Sequence, residues 1–230
     1  MTESNVLERI HLLPAGWNPS GALSIAVVDQ LFRCAEGAKN TAETGCGKST
    51  LALSHASERH LVFTCDAAPD EDPETYSLNK VKNSDLLNKA ACDFVVGSTQ
   101  QTLPVFHFDR EFDLVLLDGP HGYPFPDLEY FFFYPHIRVG GWLVVDDVHI
   151  PSVANMLDVL RNDAMFSLDR VIRTTAFFRR TTAPTFPPFA DGWWEQGYNV
   201  RHRWAVRHVQ WSSRPRVYVQ GLLKRLRIIK

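Results

Sequence analysis

Four short apolar runs recur along the chain with helix-length segments between most of them: HLVFTC at 60–65, CDFVVG at 92–97, FDLVLLD at 112–118 and GWLVVDD at 141–147. Strands that are apolar throughout, rather than at alternate positions, are buried on both faces. That happens in parallel sheets whose crossover helices cover both sides. The pattern predicts an α/β fold with a doubly wound, mostly parallel sheet and helices on both faces. A weak strand is expected at 40–44 and a further β-rich stretch at 168–180. Helices are expected near 48–57, 75–90, 125–137 and 152–162, with another inside 21–36 leading into the sheet. Ligands of such sheets bind beyond the carboxyl ends of the strands, where the strand order reverses, so the residues at those ends decide the chemistry.

The 230 residues suit one domain with additions, and 45% apolar with 22% charged residues is enough to bury a core. We divide the chain into an N-terminal helical segment (1–36), a ligand-binding core (37–180), and an aromatic and Pro-rich segment with a basic tail (181–230) that belongs to the same domain. No apolar run reaches the roughly 18 residues of a membrane span, and no secretory signal is visible, so a cytoplasmic location is expected. Cys34, Cys46, Cys65 and Cys92 form no C-x-x-C pair, which fits reduced cysteines. The net charge of −2 hides an uneven distribution: acids crowd between Asp66 and Glu74, and nine Arg or Lys fall in the last thirty residues. The tail, with its stripe of Leu222, Leu223, Leu226 and Ile229, offers a peripheral membrane or partner contact or a final packed helix. No nucleic-acid partner is expected, and a homo-oligomer is compatible with the sequence. Trp193 and Trp194 suit either a substrate cover or a plug on the core.

The stretch TAETGCGKST at 41–50 has two readings. From Ala42 it approaches a phosphate-binding loop, with Lys48 and Ser49 in place but alanine where a glycine is expected. From Glu43 it is an acid followed by Gly45 and Gly47 opening a helix, the strand-to-helix turn of a nucleoside site. AEGAKNT is a poor buried strand to precede a phosphate loop. Asp66, about twenty residues on at the end of the second strand, stands where a carboxylate holds ribose hydroxyls.

With these spacings the chain, from about 40 to 162, resembles a class I S-adenosylmethionine (SAM)-dependent methyltransferase. DLVLLDGPHGYPFPDLEYFFFYPHIRVGGWLVVDD is similar to the small-molecule O-methyltransferases of that superfamily, including sugar and catechol types. The resemblance implies a seven-stranded Rossmann-like sheet, a Gly-Gly turn before the fifth strand and a small-molecule acceptor. It places Glu43, Gly45 and Gly47 around the methionine part of SAM, with Cys46, Ser49 and Asp118 in the same wall. Asp66 falls at the ribose and Ser98 on the adenine side. The chain departs from the family pattern at Ser49, where a third glycine is frequent, and near Ser98, where an acid is common. Lys48 has no family role and reads as an exposed first-turn side chain.

Asp118, Asp146 and Asp147 end two neighbouring strands, and three uncompensated carboxylates at one point repel. A divalent cation, a proton or a side chain facing away would relieve this; by the resemblance the three are ligands of magnesium, and oxygen donors suit Mg²⁺, Mn²⁺ or Ca²⁺. Asp118 and His121 are the expected catalytic pair, His121 as the base or as a group orienting a ligand. His149 is a second histidine candidate, and Tyr123 and Phe125 are candidates to shape the acceptor site. The aromatic run from Tyr130 to Tyr134 reads as a helix face packed on the sheet.

Overall fold

A computed structural model of the chain describes residues 3–17, 22–65, 76–192, 194 and 196–202. The chain separates into two units, Met1–Ala190 and Asp191–Lys230; in the second, the described secondary structure is one short helix, Gly197–His202. The first unit runs α1 (Glu3–His11), α2 (Ile25–Ala35), β1 (Ala38–Thr44), α3 (Lys48–Ala56), β2 (Ser57–Thr64), α4 (Ser77–Asn83), β3 (Cys92–Val96) and α5 (Thr99–Thr102). It continues through β4 (Phe112–Leu117), α6 (Phe125–Phe133), β5 (Ile137–Val145), α7 (Pro151–Asn162), β6 (Phe166–Ile172) and β7 (Thr175–Arg180).

The seven strands form one sheet in the order β3-β2-β1-β4-β5-β7-β6. β1 to β5 are mutually parallel, and β7 is antiparallel to both of its neighbours. The sheet is thus the mostly parallel, Rossmann-like one expected, with the order reversing between β1 and β4. Residues successive along a strand point to opposite faces. Leu114, Leu116, Val144 and Phe177 accordingly enter the core under α1, α2 and α3 with Val27, Leu31 and Leu51, whereas Val115, Leu117, Leu143, Val145 and Phe178 enter the other core with Phe133, Met156 and Leu160. Both cores are apolar because both faces carry helices, which is why β4 and β5 read as unbroken apolar runs.

β1 departs from its sequence reading. AEGAKNT looked like a poor buried strand, yet β1 is central, and Thr41, Glu43 and Thr44 are fully buried. Polar groups are tolerated in such a place when they find partners. The Thr41 hydroxyl lies 2.8 Å from Ser57 Oγ and 2.9 Å from His60 Nδ1. Glu43 accepts a hydrogen bond from the Thr50 hydroxyl and lies 3.2 Å from His60 Nε2, and Thr44 donates to Glu129 Oε2 at 2.7 Å.

Two other differences have local causes. The helix expected over 75–90 is confined to α4, because the buried Leu86 and Leu87 that extended its pattern lie in a turn. Asn88 ties that turn to α3, its backbone N–H donating to Ser54 Oγ and its side chain to the Ser54 carbonyl. The Gly-Gly turn expected before the fifth strand lies inside β5, where the register with β4 shifts between Phe112 and Leu114. Such a bulge needs close backbone approach: a Cβ on Gly141 would stand 2.9 Å from the Arg138 carbonyl oxygen, and Gly140 has φ +75°. No helix among the described residues is long and apolar enough to cross a membrane.

Candidate active site

The register aligns Thr44 of β1 with Leu117 of β4, and Leu117 with Val145 of β5. The next residues, Gly45, Asp118 and Asp146, therefore leave the sheet side by side at its carboxyl edge. There they border a cavity of about 790 Å³, lined also by Cys46, Thr64, Thr99, His121, Asp147 and Arg173. This lies at the switch in strand order and within the size range of small-molecule sites.

The β1–α3 turn forms one end of the cavity. Gly45 has φ +82°, and a Cβ there would collide with the Asp118 carbonyl oxygen. Only glycine lets β1 turn this close to β4. Gly47 precedes α3 and donates its N–H to Thr50 Oγ1 at 2.9 Å, while the same hydroxyl donates to Glu43. Glu43 thus faces the protein interior and braces the turn from behind. Gly47 and Ser49 are buried there as well and, like Glu43, do not line the cavity, whereas Gly45 and Cys46 do. Burial pushes the Cys46 thiol up to about 12, so it stays protonated, and it accepts the Thr64 hydroxyl at 3.3 Å. Lys48 is half-buried rather than exposed. Its ammonium donates to the Leu13 carbonyl at 3.0 Å, away from the cavity, so the phosphate-loop reading loses its lysine.

Around the rim, Ser98 precedes α5 without lining the cavity; its neighbour Thr99 does, with a buried side chain that lies within reach of Glu129. Asp66, expected at the ribose, and the basic tail lie outside the described residues. Tyr123 is exposed, and Phe125 begins α6.

The acids after β4 and β5 separate into two roles. Asp146 is buried and accepts the Thr175 hydroxyl from β7. Asp118, His121 and Asp147 instead place one donor atom each within 4.8 Å of one another. His121 Nε2 lies 3.1 Å from Asp147 Oδ2 and 3.9 Å from Asp118 Oδ1. Asp147 adopts φ +53°, a conformation that an Asp tolerates better than most residues, and this aims its carboxylate back across the β5 end. The His121 loop is fixed from α7, whose Ser152 hydroxyl donates to the His121 carbonyl. His149 is exposed, with Nδ1 3.5 Å from Asp147 Oδ1.

Burial raises the Asp118 pKa to about 7 against the opposing effect of His121, with Asp146 and Glu43 adding to the rise. The His121 pKa is raised by the Asp118 carboxylate first, and Asp147 adds to this. The two carboxylates favour the protonated imidazole. A cation offered to the same three groups would compete with that proton.

Comparison with known proteins bears directly on this site. Residues 42–148, from β1 to just past Asp147, match the profile of a methyltransferase domain family. Over that stretch the sequence is similar to a methyltransferase domain, and the seven-stranded sheet has the Rossmann-like methyltransferase fold. No curated protein sequence matches the chain. Among solved structures, a protein from Klebsiella pneumoniae assigned as an O-methyltransferase is similar, with a TM-score of 0.59 at 15% identity over 78% of this chain and 90% of that one. The O-methyltransferase TomG from Streptomyces achromogenes, involved in tomaymycin synthesis and solved with SAM, has a TM-score of 0.55 at 16% identity over 78% and 87%. An O-methyltransferase from Bacillus cereus solved with S-adenosylhomocysteine (SAH) has 0.51 at 16% over 76% and 87%.

Three residues of the candidate site escape a sequence reading. Thr44 and Glu129 meet only in space, and Arg173, in the β6–β7 turn, reaches the cavity from the far edge of the sheet. The spacing of Pro126, Glu129 and Phe133 on one buried face of α6 is the available signal, since an acid on such a stripe needs a reason.

Proposed function

We propose that the protein transfers the methyl group of SAM to a hydroxyl oxygen of a small molecule, a sugar or secondary metabolite, with a divalent cation held by Asp118, His121 and Asp147. The observation that carries this reading is the convergence of those three donors on the wall of the cavity that also runs past Gly45 and Cys46. His121 Nε2 lies between the Asp118 and Asp147 carboxylates, and one nitrogen with two carboxylate oxygens is a donor set that a divalent cation fits.

When bound, SAM supplies an electrophilic methyl group and the cation lowers the pKa of an acceptor hydroxyl. The chain's own residues hold the two reactants in line, which is the larger part of the task for such a displacement. The Gly45 turn keeps backbone close to Asp118, so cofactor and acceptor pockets share a wall. Asp118, His121 and Asp147 would hold the cation against the acceptor oxygen, whose lowered pKa would let its proton leave to water. Arg173 is the one Lys or Arg on the described cavity wall and offers a contact to an acceptor's polar groups.

The test is a melting series with SAH, Mn²⁺ and both together. A ligand at 100 times its Kd adds about 2.7 kcal/mol, or roughly 5–11 °C for a chain of this size. Both ligands are expected to stabilise the wild type. Asp147→Asn is expected to lose the Mn²⁺ response while keeping that to SAH. Absence of any SAH response in the wild type refutes the reading, and an undiminished Mn²⁺ response in Asp147→Asn refutes the assigned metal ligands.

A further inference from the structure

Glu129 is 1% exposed, on the face of α6 that also buries Pro126 and Phe133. A leucine would pack there without the cost of burying a carboxylate, so the acid must do something a hydrocarbon cannot. Its Oε2 accepts the Thr44 hydroxyl at 2.7 Å. A threonine hydroxyl has one proton, and with that proton given to Glu129 its lone pairs face outward. One of them accepts the backbone N–H of Asp118 at 3.1 Å. The chain of bonds Asp118 N–H to Thr44 to Glu129 joins the last residue of β1, the first residue after β4 and the inner face of α6.

Glu129 also lies against Gly119. A Cβ on Gly119 would collide with Oε1 and stand 2.7 Å from Oε2, so the lack of a side chain there is what admits the carboxylate beneath the Asp118–Gly119 backbone. The Thr99 side chain lies within reach of the carboxylate as well. Asp118 and Gly119 both line the cavity. The carboxylate is therefore spent on the segment that carries the reactive wall, from a position that touches neither the cavity nor the metal-binding donors.

We propose that Glu129 is a positioning residue: by orienting the Thr44 hydroxyl it fixes the Asp118 amide, and so the direction in which Asp118 and Gly119 face cofactor and acceptor. A Thr44 hydroxyl free to rotate donates to any nearby acceptor, and the Asp118 amide loses its fixed partner. A glutamine retains an acceptor oxygen of the same reach, whereas alanine retains none.

Amide hydrogen exchange followed by NMR tests this without any ligand. In Glu129→Ala and in the near-isosteric Thr44→Val, exchange of the Asp118 amide is expected to rise roughly tenfold, the value of one buried hydrogen bond. The Leu116 amide, two residues back in β4, is expected to hold its wild-type rate, and Glu129→Gln is expected to restore the Asp118 rate. An Asp118 rate unchanged in both variants overturns the proposal. So does a parallel rise at Leu116, which signals general loosening, or a Glu129→Gln no better than alanine. Calorimetry with SAH is the second readout and rests on the methyltransferase reading: the Kd is expected to weaken roughly tenfold in Glu129→Ala and Thr44→Val and to recover in Glu129→Gln. A wild type that binds no SAH removes the proposed function, and the exchange rates still decide the role of Glu129.

Discussion

Replacing Gly45 by alanine separates two costs that usually arrive together, because a second glycine in the same fold carries only one of them. Gly45 and Gly37 have similar backbones, φ +82° and +71°, in the region that L-residues avoid. Placing a Cβ-bearing residue there costs about 1–2 kcal/mol, partly offset by the smaller entropy of the unfolded alanine chain. At Gly37 nothing lies within 4 Å of the added Cβ, so the cost ends there, at about 1 kcal/mol net. At Gly45 the Cβ meets the Asp118 carbonyl oxygen and stands 3.2 Å from its carbon. Backbone cannot rotate away as a side chain can, so the β1 turn and the β4 end must part, adding about 1–3 kcal/mol of overpacking. Thermal unfolding of the two variants should therefore differ. For a chain of this size roughly 2–4 °C is lost per kcal/mol, giving about 2–4 °C for Gly37→Ala and roughly 4–16 °C for the ~2–4 kcal/mol of Gly45→Ala. The distortion at Gly45 reaches the cavity wall, so SAH binding by calorimetry is expected to be lost in Gly45→Ala and kept in Gly37→Ala. Equal melting shifts would falsify the claim that contact with Asp118, rather than backbone conformation, makes Gly45 a glycine.

The remaining expectations concern charge and strain. Burial raises the Glu129 pKa to about 7 against the opposing Thr44 hydroxyl, so the folded state binds more protons than the unfolded state between the ordinary glutamate value and about 7. Stability from this group therefore falls as pH rises through that window, and melting temperatures of Glu129→Gln measured across it should decline less steeply than those of the wild type. Lys48→Ala removes a hydrogen bond to the Leu13 carbonyl and is expected to cost about 1 kcal/mol in urea unfolding while leaving SAH affinity within about twofold; a complete loss of cofactor binding would return Lys48 to the site. Arg173, at φ +53° in the β6–β7 turn, is expected to gain about 1 kcal/mol on change to glycine, read as a higher melting temperature; no gain would mean that its backbone is unstrained.

The fold was legible where a single physical constraint dominates. β4 and β5 are covered on both faces, so their burial needs apolar residues at every position, and DLVLLD and WLVVDD announce themselves. β1 was nearly illegible for the opposite reason. Its burial is compensated residue by residue, Thr41 by Ser57 and His60, Glu43 by Thr50 and His60, Thr44 by Glu129, and none of these pairings leaves a mark on local composition. Leu86 and Leu87 misled in another way, since periodicity records that a side chain is buried and not whether a helix or a turn buries it.

The same distinction governs the site. Chain order showed that Asp118, His121, Asp146 and Asp147 gather at the carboxyl edge, because the ends of parallel strands converge whatever the loops do. It did not show how they divide. That depends on Thr175, which reaches Asp146 from β7, and on φ at Asp147, which turns that carboxylate toward His121. Glu43 shows the converse: the resemblance puts the acid of the turn motif around the methionine part of SAM, yet its carboxylate is spent inside the protein on Thr50 and His60. Glu43 and Glu129 are then comparable devices, each a fully enclosed acid that anchors a threonine hydroxyl, and each of those hydroxyls accepts one backbone N–H, Gly47 through Thr50 and Asp118 through Thr44. The two amides flank the cavity at the ends of β1 and β4. A site that must hold two reactants in line gains from walls fixed at both strand ends, and the two buried acids supply that fixing without occupying the space the reactants need.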